Sequence, residues 1–217
     1  MILLIIRGIY ENFNNGIGLS SINMDSCVIS LLQFYDDFCY RKLVKKLLMF
    51  NPTEVIISNK NLKLSILQKI LKNEFESLKI TVINSRYFDK QKGFELFNKH
   101  ISKDVDNSIN TSNRLTCQAS LSALVMFLEI ERNIYLKPFE LSIEYQNNDD
   151  GMFIDGGTCK FLELVNNNSK NRSNLYNVLN FCATRNGMNL LRSNILEPLI
   201  SKPYSKSFTL SVPSFDT

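Results

Sequence analysis

The chain has 217 residues, 44% of them apolar, with 25 lysines and arginines against 21 acidic residues and a formal net charge of +4. This length accommodates one or two domains with a true core, and the small positive balance falls short of the basic excess of a dedicated nucleic-acid-binding domain. The one histidine, His100, stands beside Lys99 in a helical stretch and cannot by itself supply a His-based metal centre.

Five cysteines (Cys27, Cys39, Cys117, Cys159 and Cys182) are dispersed without a C-x-x-C pair, the pattern of a reduced, intracellular protein. Met1 to Ile6 is apolar but too short to cross a membrane, and it lacks the flanks of a signal peptide. The Asn-x-Ser triplets at Asn110, Asn167 and Asn171 read as chance products of an Asn-rich chain.

Along the chain, Gly16–Asn23 and Cys27–Phe34 read as two strands joined by the turn Met24-Asp25-Ser26. Asp36 or Asp37 can cap the helix that follows. One face of that helix carries Tyr40, Leu43, Val44 and Leu47. Another carries Arg41, Lys42, Lys45 and Lys46, a basic run that makes these four the candidate contacts to a DNA backbone. No interleaving of aromatic and basic residues marks a single-strand platform.

Glu54–Ser58 holds the continuous apolar run Val55-Ile56-Ile57, as in a strand covered on both faces. A helical stripe (Leu64, Leu67, Leu71, Phe75, Leu78), a strand (Lys79–Asn84) and a further helix around Phe94, Phe97 and Ile101 follow. Asp104 to Asn113 is polar and aperiodic, hence a loop. Thr116–Glu131 is the clearest helix, with Cys117, Leu121, Leu124, Val125 and Leu128 as its core stripe. Its small residues Ala119, Ser120 and Ala123 allow close packing. Leu141–Tyr145 alternates like a strand. Strands alternating with helices imply an α/β sandwich with a partly parallel sheet.

Gln146-Asn147-Asn148-Asp149-Asp150 is a polar break and the best domain boundary. Beyond it the pattern is helical over Thr158–Val165, Leu175–Cys182 and Met188–Leu196, with a polar loop at Asn166–Asn174. Gly187 suits a tight joint of positive φ between two helices. Met188, Leu191, Ile195 and Leu199 form one apolar face after it, and Pro198 marks the end of the helix. Arg192 falls beside that face, where its stem can pack and its head can reach an acidic neighbour.

The carboxylates Asp25, Asp36 and Asp37 do not make a two-metal site. Asp25 lies in a turn, the strand before it carries no acid, and Asp36 and Asp37 read as capping residues. Cys182 near Arg185 has no histidine close by and reads as a buried structural thiol.

The string Leu175-Tyr176-Asn177-Val178-Leu179-Asn180-Phe181-Cys182-Ala183-Thr184-Arg185-Asn186-Gly187-Met188-Asn189-Leu190-Leu191-Arg192-Ser193-Asn194-Ile195-Leu196-Glu197-Pro198-Leu199 resembles the start of the lever in MutS-type DNA mismatch-recognition proteins. There a T-x-x-G turn precedes a helix reading L-R-x-x-I/L-x-x-P-L. Gly16–Asn23, Ile29–Asp36 and Tyr87–Gly93 resemble the same family's connector domain, and Gly151–Asp155 through Phe161-Leu162-Glu163-Leu164 resembles the lever's opening. Gly93-Phe94-Glu95 superficially resembles the family's mismatch wedge, but its spacing and mid-domain place are wrong.

The resemblance covers Gly16 to Leu199 and is nearest in wording to the family's meiotic branch, the fourth eukaryotic paralogue. It implies a ribonuclease-H-like α/β connector domain over 16–146, with 1–15 left unassigned. The beginning of an all-α lever, or core, domain follows over 151–200, with a divergent tail over 201–217. It further implies a nuclear clamp on Holliday junctions in meiotic crossing over, paired with the fifth MutS homologue and open to MutL-type partners, with no membrane. Asp155, Gly187, Leu191, Arg192, Pro198 and Leu199 are its structural motif residues.

ATP and magnesium belong to the intact family. None of the eight glycines here begins a G-x-x-x-x-G-K-[ST] loop, so no cofactor, catalytic or metal-binding residue is expected in this chain. The family pattern stops after Leu199, the pattern of a truncated gene or fragment. The alternative is a stand-alone, nuclease-like α/β enzyme acting on nucleic acid.

Overall fold

The computed structural model describes residues 5–12, 14–23, 28–60, 63–100, 115–135, 142–145, 151–152, 154–165 and 174–198. Leu199, the expected turn Met24-Asp25-Ser26, the expected loop at 104–113 and the expected tail at 201–217 lie outside the described residues.

Six strands form one sheet: β1 (Ile5–Glu11), β2 (Gly16–Asn23), β3 (Val28–Tyr35), β4 (Glu54–Ser58), β5 (Lys79–Ile83) and β6 (Ser142–Tyr145), in the order β5-β4-β1-β2-β3-β6. The β1–β2 and β2–β3 pairs are antiparallel, whereas β1–β4, β4–β5 and β3–β6 are parallel. The helices are α1 (Arg41–Phe50), α2 (Leu64–Glu74), α3 (Lys90–His100), α4 (Leu115–Glu131), α5 (Gly156–Phe161), α6 (Leu175–Leu179) and α7 (Arg185–Leu196). A short 3₁₀ turn spans Ser85–Tyr87.

Both faces of the sheet are covered. Ile9, Ile17, Leu19, Leu32, Val55 and Ile57 pack with α1 and α2, while Ile6, Ile22, Ile29, Leu31 and Ile56 pack with α3 and α4. All five residues of β4 are buried, the apolar run Val55-Ile56-Ile57 as expected and Glu54 and Ser58 with it. The mixed α/β sheet followed by helices matches the expected architecture.

Two placements differ from the sequence reading. Ile5–Glu11, inside the unassigned segment 1–15, is the central strand of the sheet, paired on both edges. Arg7 and Gly8 interrupt its apolar pattern, which hid it. It also means that the first strand does end in an acid, Glu11, although Tyr40 Oη (2.6 Å) and Lys63 Nζ (3.1 Å) occupy that carboxylate. Second, the polar break at 146–150 does not separate two cores, because Cys159, Val165 and Leu196 join the same buried cluster as α1 and α2.

Helix α4 is buried nearly all round, from Thr116 to Leu128, the pattern of a helix enclosed by protein. Close approach is set by small residues. A Cβ on Gly18 would lie 2.1 Å from the Thr116 carbonyl, and one on Gly93 1.9 Å from the Gln118 oxygen. Ser20 Oγ adds a hydrogen bond to the Ser120 carbonyl at 2.8 Å. Of the slim residues Ala119, Ser120 and Ala123, Ser120 is met by glycine on the sheet, a Cβ on Gly8 lying 2.8 Å from its carbonyl oxygen.

Candidate functional site

Helix α1 starts from two carboxylates. Asp36 accepts the backbone N–H of Lys42 (3.1 Å) and of Leu43 (2.8 Å), satisfying donors of the first turn. Asp37 accepts the Arg41 N–H at 3.3 Å and pairs with its Nε at 2.5 Å. Both acids therefore do the capping work expected of them. Tyr40, just before the helix, adopts the left-handed conformation (φ 52°).

The basic run on α1 is not one open face. Arg41 and Lys42 are exposed, and Lys42 Nζ donates to the Tyr35 carbonyl at 3.0 Å. One turn later, Lys45 and Lys46 are buried. Their ammonium groups meet a single carboxylate, Glu197, at 3.3 Å and 2.7 Å, and Lys45 also donates to the Met152 carbonyl at 3.0 Å. Burial pulls the Lys45 pKa down, against the raising charge of Glu197. The reason is tertiary: the chain from Gly151 and the end of α7 cover this part of α1.

Thr184 caps α7, its hydroxyl accepting the Gly187 N–H at 3.2 Å. Gly187 is the third residue of the helix, and no described glycine has positive φ. The positive-φ joint expected at Gly187 is therefore replaced by a capped helix start, with Thr184 supplying the turn. Space at Gly187 is nonetheless tight, a Cβ meeting Thr184 Oγ at 3.1 Å and Cys182 Cβ at 3.4 Å. The preceding helix ends at Leu179, so Cys182 lies in the link between α6 and α7, half-buried rather than buried within a helix.

The inward face of α7 centres on Arg192 and Leu196, both buried, with Met188, Leu191 and Ile195 half-buried at its flanks. The Arg192 head reaches the last turn of α1, where its Nε donates to the Leu48 carbonyl at 2.6 Å, and its guanidinium lies 5.6 Å from the Tyr176 ring. Helix α1 carries no basic residue in its own last turn. Arg192 supplies from another helix the cation that a helix C-terminus favours. Burial lowers its pKa to about 10, so it remains charged at neutral pH.

Pro198 closes the arrangement by accepting the Met152 N–H at 2.7 Å. Gly151 faces Glu197 so closely that a Cβ would sit 2.1 Å from Glu197 Cγ. Asp155 caps α5, accepting the N–H groups of Gly157 (2.8 Å) and Thr158 (3.0 Å) and the Thr158 hydroxyl (2.6 Å). Hydrogen bonds to the charged form hold its carboxyl below the usual range, the Thr158 hydroxyl contributing most.

The structure thus brings Lys45, Lys46, Arg192 and Pro198 into one seam between α1 and α7. Glu197 and Met152 complete it, and neither stood out in the sequence because their partners lie more than a hundred residues away.

Another charge lies beneath α1. Arg7, on β1, is buried with Nε and Nη1 lacking a hydrogen-bond partner, and its guanidinium stacks 3.9 Å from the Phe50 ring. Burial lowers its pKa to about 9. A fixed cation at the centre of the sheet opposes capture of a divalent ion there. Among the described residues no group of three His, Cys, Asp or Glu is placed to hold a metal, and no helix is long and apolar enough to cross a membrane.

Comparison with known proteins points one way. No family model matches the chain. It is 33% identical to mouse MutS protein homolog 4 over 190 residues, 85% of this chain and 20% of that protein. It is 30% identical to the Saccharomyces cerevisiae MutS protein homolog 4 over 210 residues, 89% of this chain and 24% of the relative. The DNA mismatch repair protein MutS of Borreliella afzelii is 26% identical over 195 residues, 89% of this chain and 22% of that protein. The chain therefore spans about a fifth to a quarter of the length of these relatives.

Proposed function

We propose, from the premise that this is a MutS-family chain of DNA mismatch repair or recombination, that it supplies the joint between a connector domain and the start of the lever. The observation that carries this reading is the seam itself. Arg192 and Glu197, five residues apart near the end of α7, hold both the last turn of α1 and the two lysines in its middle. A displacement of the α/β layer would be passed to α7 through charged bonds of fixed geometry, and the reverse would hold as well. The strand order, with antiparallel β1–β2–β3 and parallel β1–β4–β5, supports the ribonuclease-H-like connector.

The outer surface fits a role within a larger body. Phe161 is 89% exposed and Phe181 92%, with Leu162, Val178, Leu179 and Leu190 also exposed on α5 to α7. Large apolar side chains left this exposed along one stretch of chain fit a surface that another surface covers. In the complete protein the joint would couple ATP binding to the grip on DNA. The reading extends to Holliday junctions as the DNA, the fifth MutS homologue as the partner, MutL-type proteins as further contacts, and the nucleus as the site of action. The buried Arg7 on β1 gives no support to the nuclease-like alternative.

Native-state hydrogen exchange on the whole chain tests the joint. The amides of α7 should exchange through one cooperative opening in which the helix leaves α1 as a unit. Exchange of residues 185–196 at the rate of an unstructured chain would overturn the reading.

A further inference from the structure

We infer that α7 is a self-inhibitory latch over a DNA-backbone site on α1, with Glu197 occupying the place of a phosphate. The inference rests on the joint proposed above and adds a ligand to it. Arg41, Lys42, Lys45 and Lys46 follow the spacing i, i+1, i+4 and i+5, which places all four on one side of a helix. In the docked state the side is divided. Arg41 and Lys42 face solvent, whereas Lys45 and Lys46 are closed off by the one carboxylate of Glu197, at 3.3 Å and 2.7 Å.

The chemistry of the contact is that of a lysine–phosphate pair, with each oxygen of one anionic group on its own ammonium group. The seat of α7 is also built largely from polar bonds: Arg192 to Leu48, Glu197 to the lysines, and Met152 to Pro198. Leu196 is its one fully buried apolar side chain among the described residues of α7. Bonds between ions resist separation less when a competing polyanion is present. Burying Lys45 and Lys46 carries a desolvation cost that is recovered when α7 lifts. A phosphodiester backbone would favour the lifted state by taking both lysines at once. Lys42, on the Tyr35 carbonyl, and Arg41, paired with Asp37, extend the cationic side beyond the two lysines, a length suited to successive phosphates of one strand rather than to a compact anion.

The test is titration of a short labelled DNA duplex into the whole chain, wild type and Glu197→Gln, at several salt concentrations, with hydrogen exchange of α7 followed in parallel. The variant should free the amides of residues 185–196 and bind about tenfold tighter. Its log–log salt slope should steepen by about two, one increment per added phosphate contact. Adding Lys45→Gln and Lys46→Gln to that variant should remove the gain. If α7 is freed and binding does not change, the latch is wrong and the joint stands. If the amides of α7 remain protected in Glu197→Gln, the carboxylate does not hold the seat, and both latch and joint fall. If the variant does not fold, wild type alone decides: saturating DNA must speed exchange in residues 185–196, and unchanged or slowed exchange overturns the inference.

Discussion

Glu197 lies 2.7 Å from Lys46 and 3.3 Å from Lys45, so one carboxylate just past the end of α7 is shared by two lysines buried in the middle of α1. The arrangement makes the three residues unequal. Glu197→Gln leaves two ammonium groups without counter-charge and should cost about 2–4 kcal/mol, the range for breaking a buried pair from one side. Lys45→Met leaves the shorter Lys46–Glu197 pair intact and removes a burial penalty, so its cost should stay within about 1 kcal/mol. Urea unfolding of the two variants gives the comparison. Equal losses would show that the carboxylate does not serve both lysines.

Glycine positions allow a second, steric contrast. Gly18→Ala would place a Cβ 2.1 Å from the Thr116 backbone, and Gly93→Ala 1.9 Å from the Gln118 oxygen. Neither backbone can yield without moving α4, so each should cost about 3 kcal/mol or more. Gly156→Ala, in the first turn of α5, meets only Val44 Cγ1 at 3.6 Å and Leu48 Cδ1 at 3.9 Å. It should be neutral or gain about 0.5–1 kcal/mol through the unfolded chain. Thermal unfolding of the three variants checks the order.

Much of the fold was legible because its signals are local. The unbroken apolar run of β4, the stripe of α4 and the capping pair Asp36 and Asp37 each need only neighbours in sequence. The central strand β1 was not legible. A buried arginine and a glycine within seven residues erase the alternation that marks a strand. At the seam the residue types were visible and their partners were not. Lys45 and Lys46 look like a solvated basic face until the chain returns, some 150 residues later, with Glu197. Gly187 was misread because a T-x-x-G string fits two geometries, a left-handed joint or an N-cap with glycine at the third position. Choosing between them requires the hydroxyl's partner, here the Gly187 N–H.

Arg7 gives a third prediction. Its guanidinium is buried, two of its nitrogens lack hydrogen-bond partners, and it stacks on the Phe50 ring. The stack contributes about 1–2 kcal/mol when desolvated. An unpartnered buried charge costs more than that, and replacing it with an apolar side chain of similar volume is often stabilising by about 1–4 kcal/mol. Arg7→Met should therefore raise the midpoint of denaturation at neutral pH. A loss of more than about 1 kcal/mol, measured with an unchanged m-value, would mean that the cation is satisfied in solution.

Glu54, at the start of β4, supports a pH prediction. It is buried on the α4 face, accepts the Thr81 hydroxyl at 2.5 Å, pairs with Lys79 at 3.1 Å, and is bonded by Arg132 beyond the end of α4. Burial alone would raise its pKa, but the bonds from Thr81, Lys79 and Arg132 together outweigh burial and hold it below the ordinary value of 4.5. A carboxyl depressed in the folded state binds its proton more readily when unfolded. Its contribution is thus complete above the unfolded pKa and is lost as pH falls through the folded one. Wild type should lose stability as pH drops below about 4.5, and Glu54→Gln should be less stable at pH 7 by about 2–3 kcal/mol. The gap between the two should narrow on the acid side, because the variant has no proton to take up at this position. Parallel denaturation curves for wild type and variant across that range would establish it, and a gap independent of pH would assign the loss to packing rather than to charge.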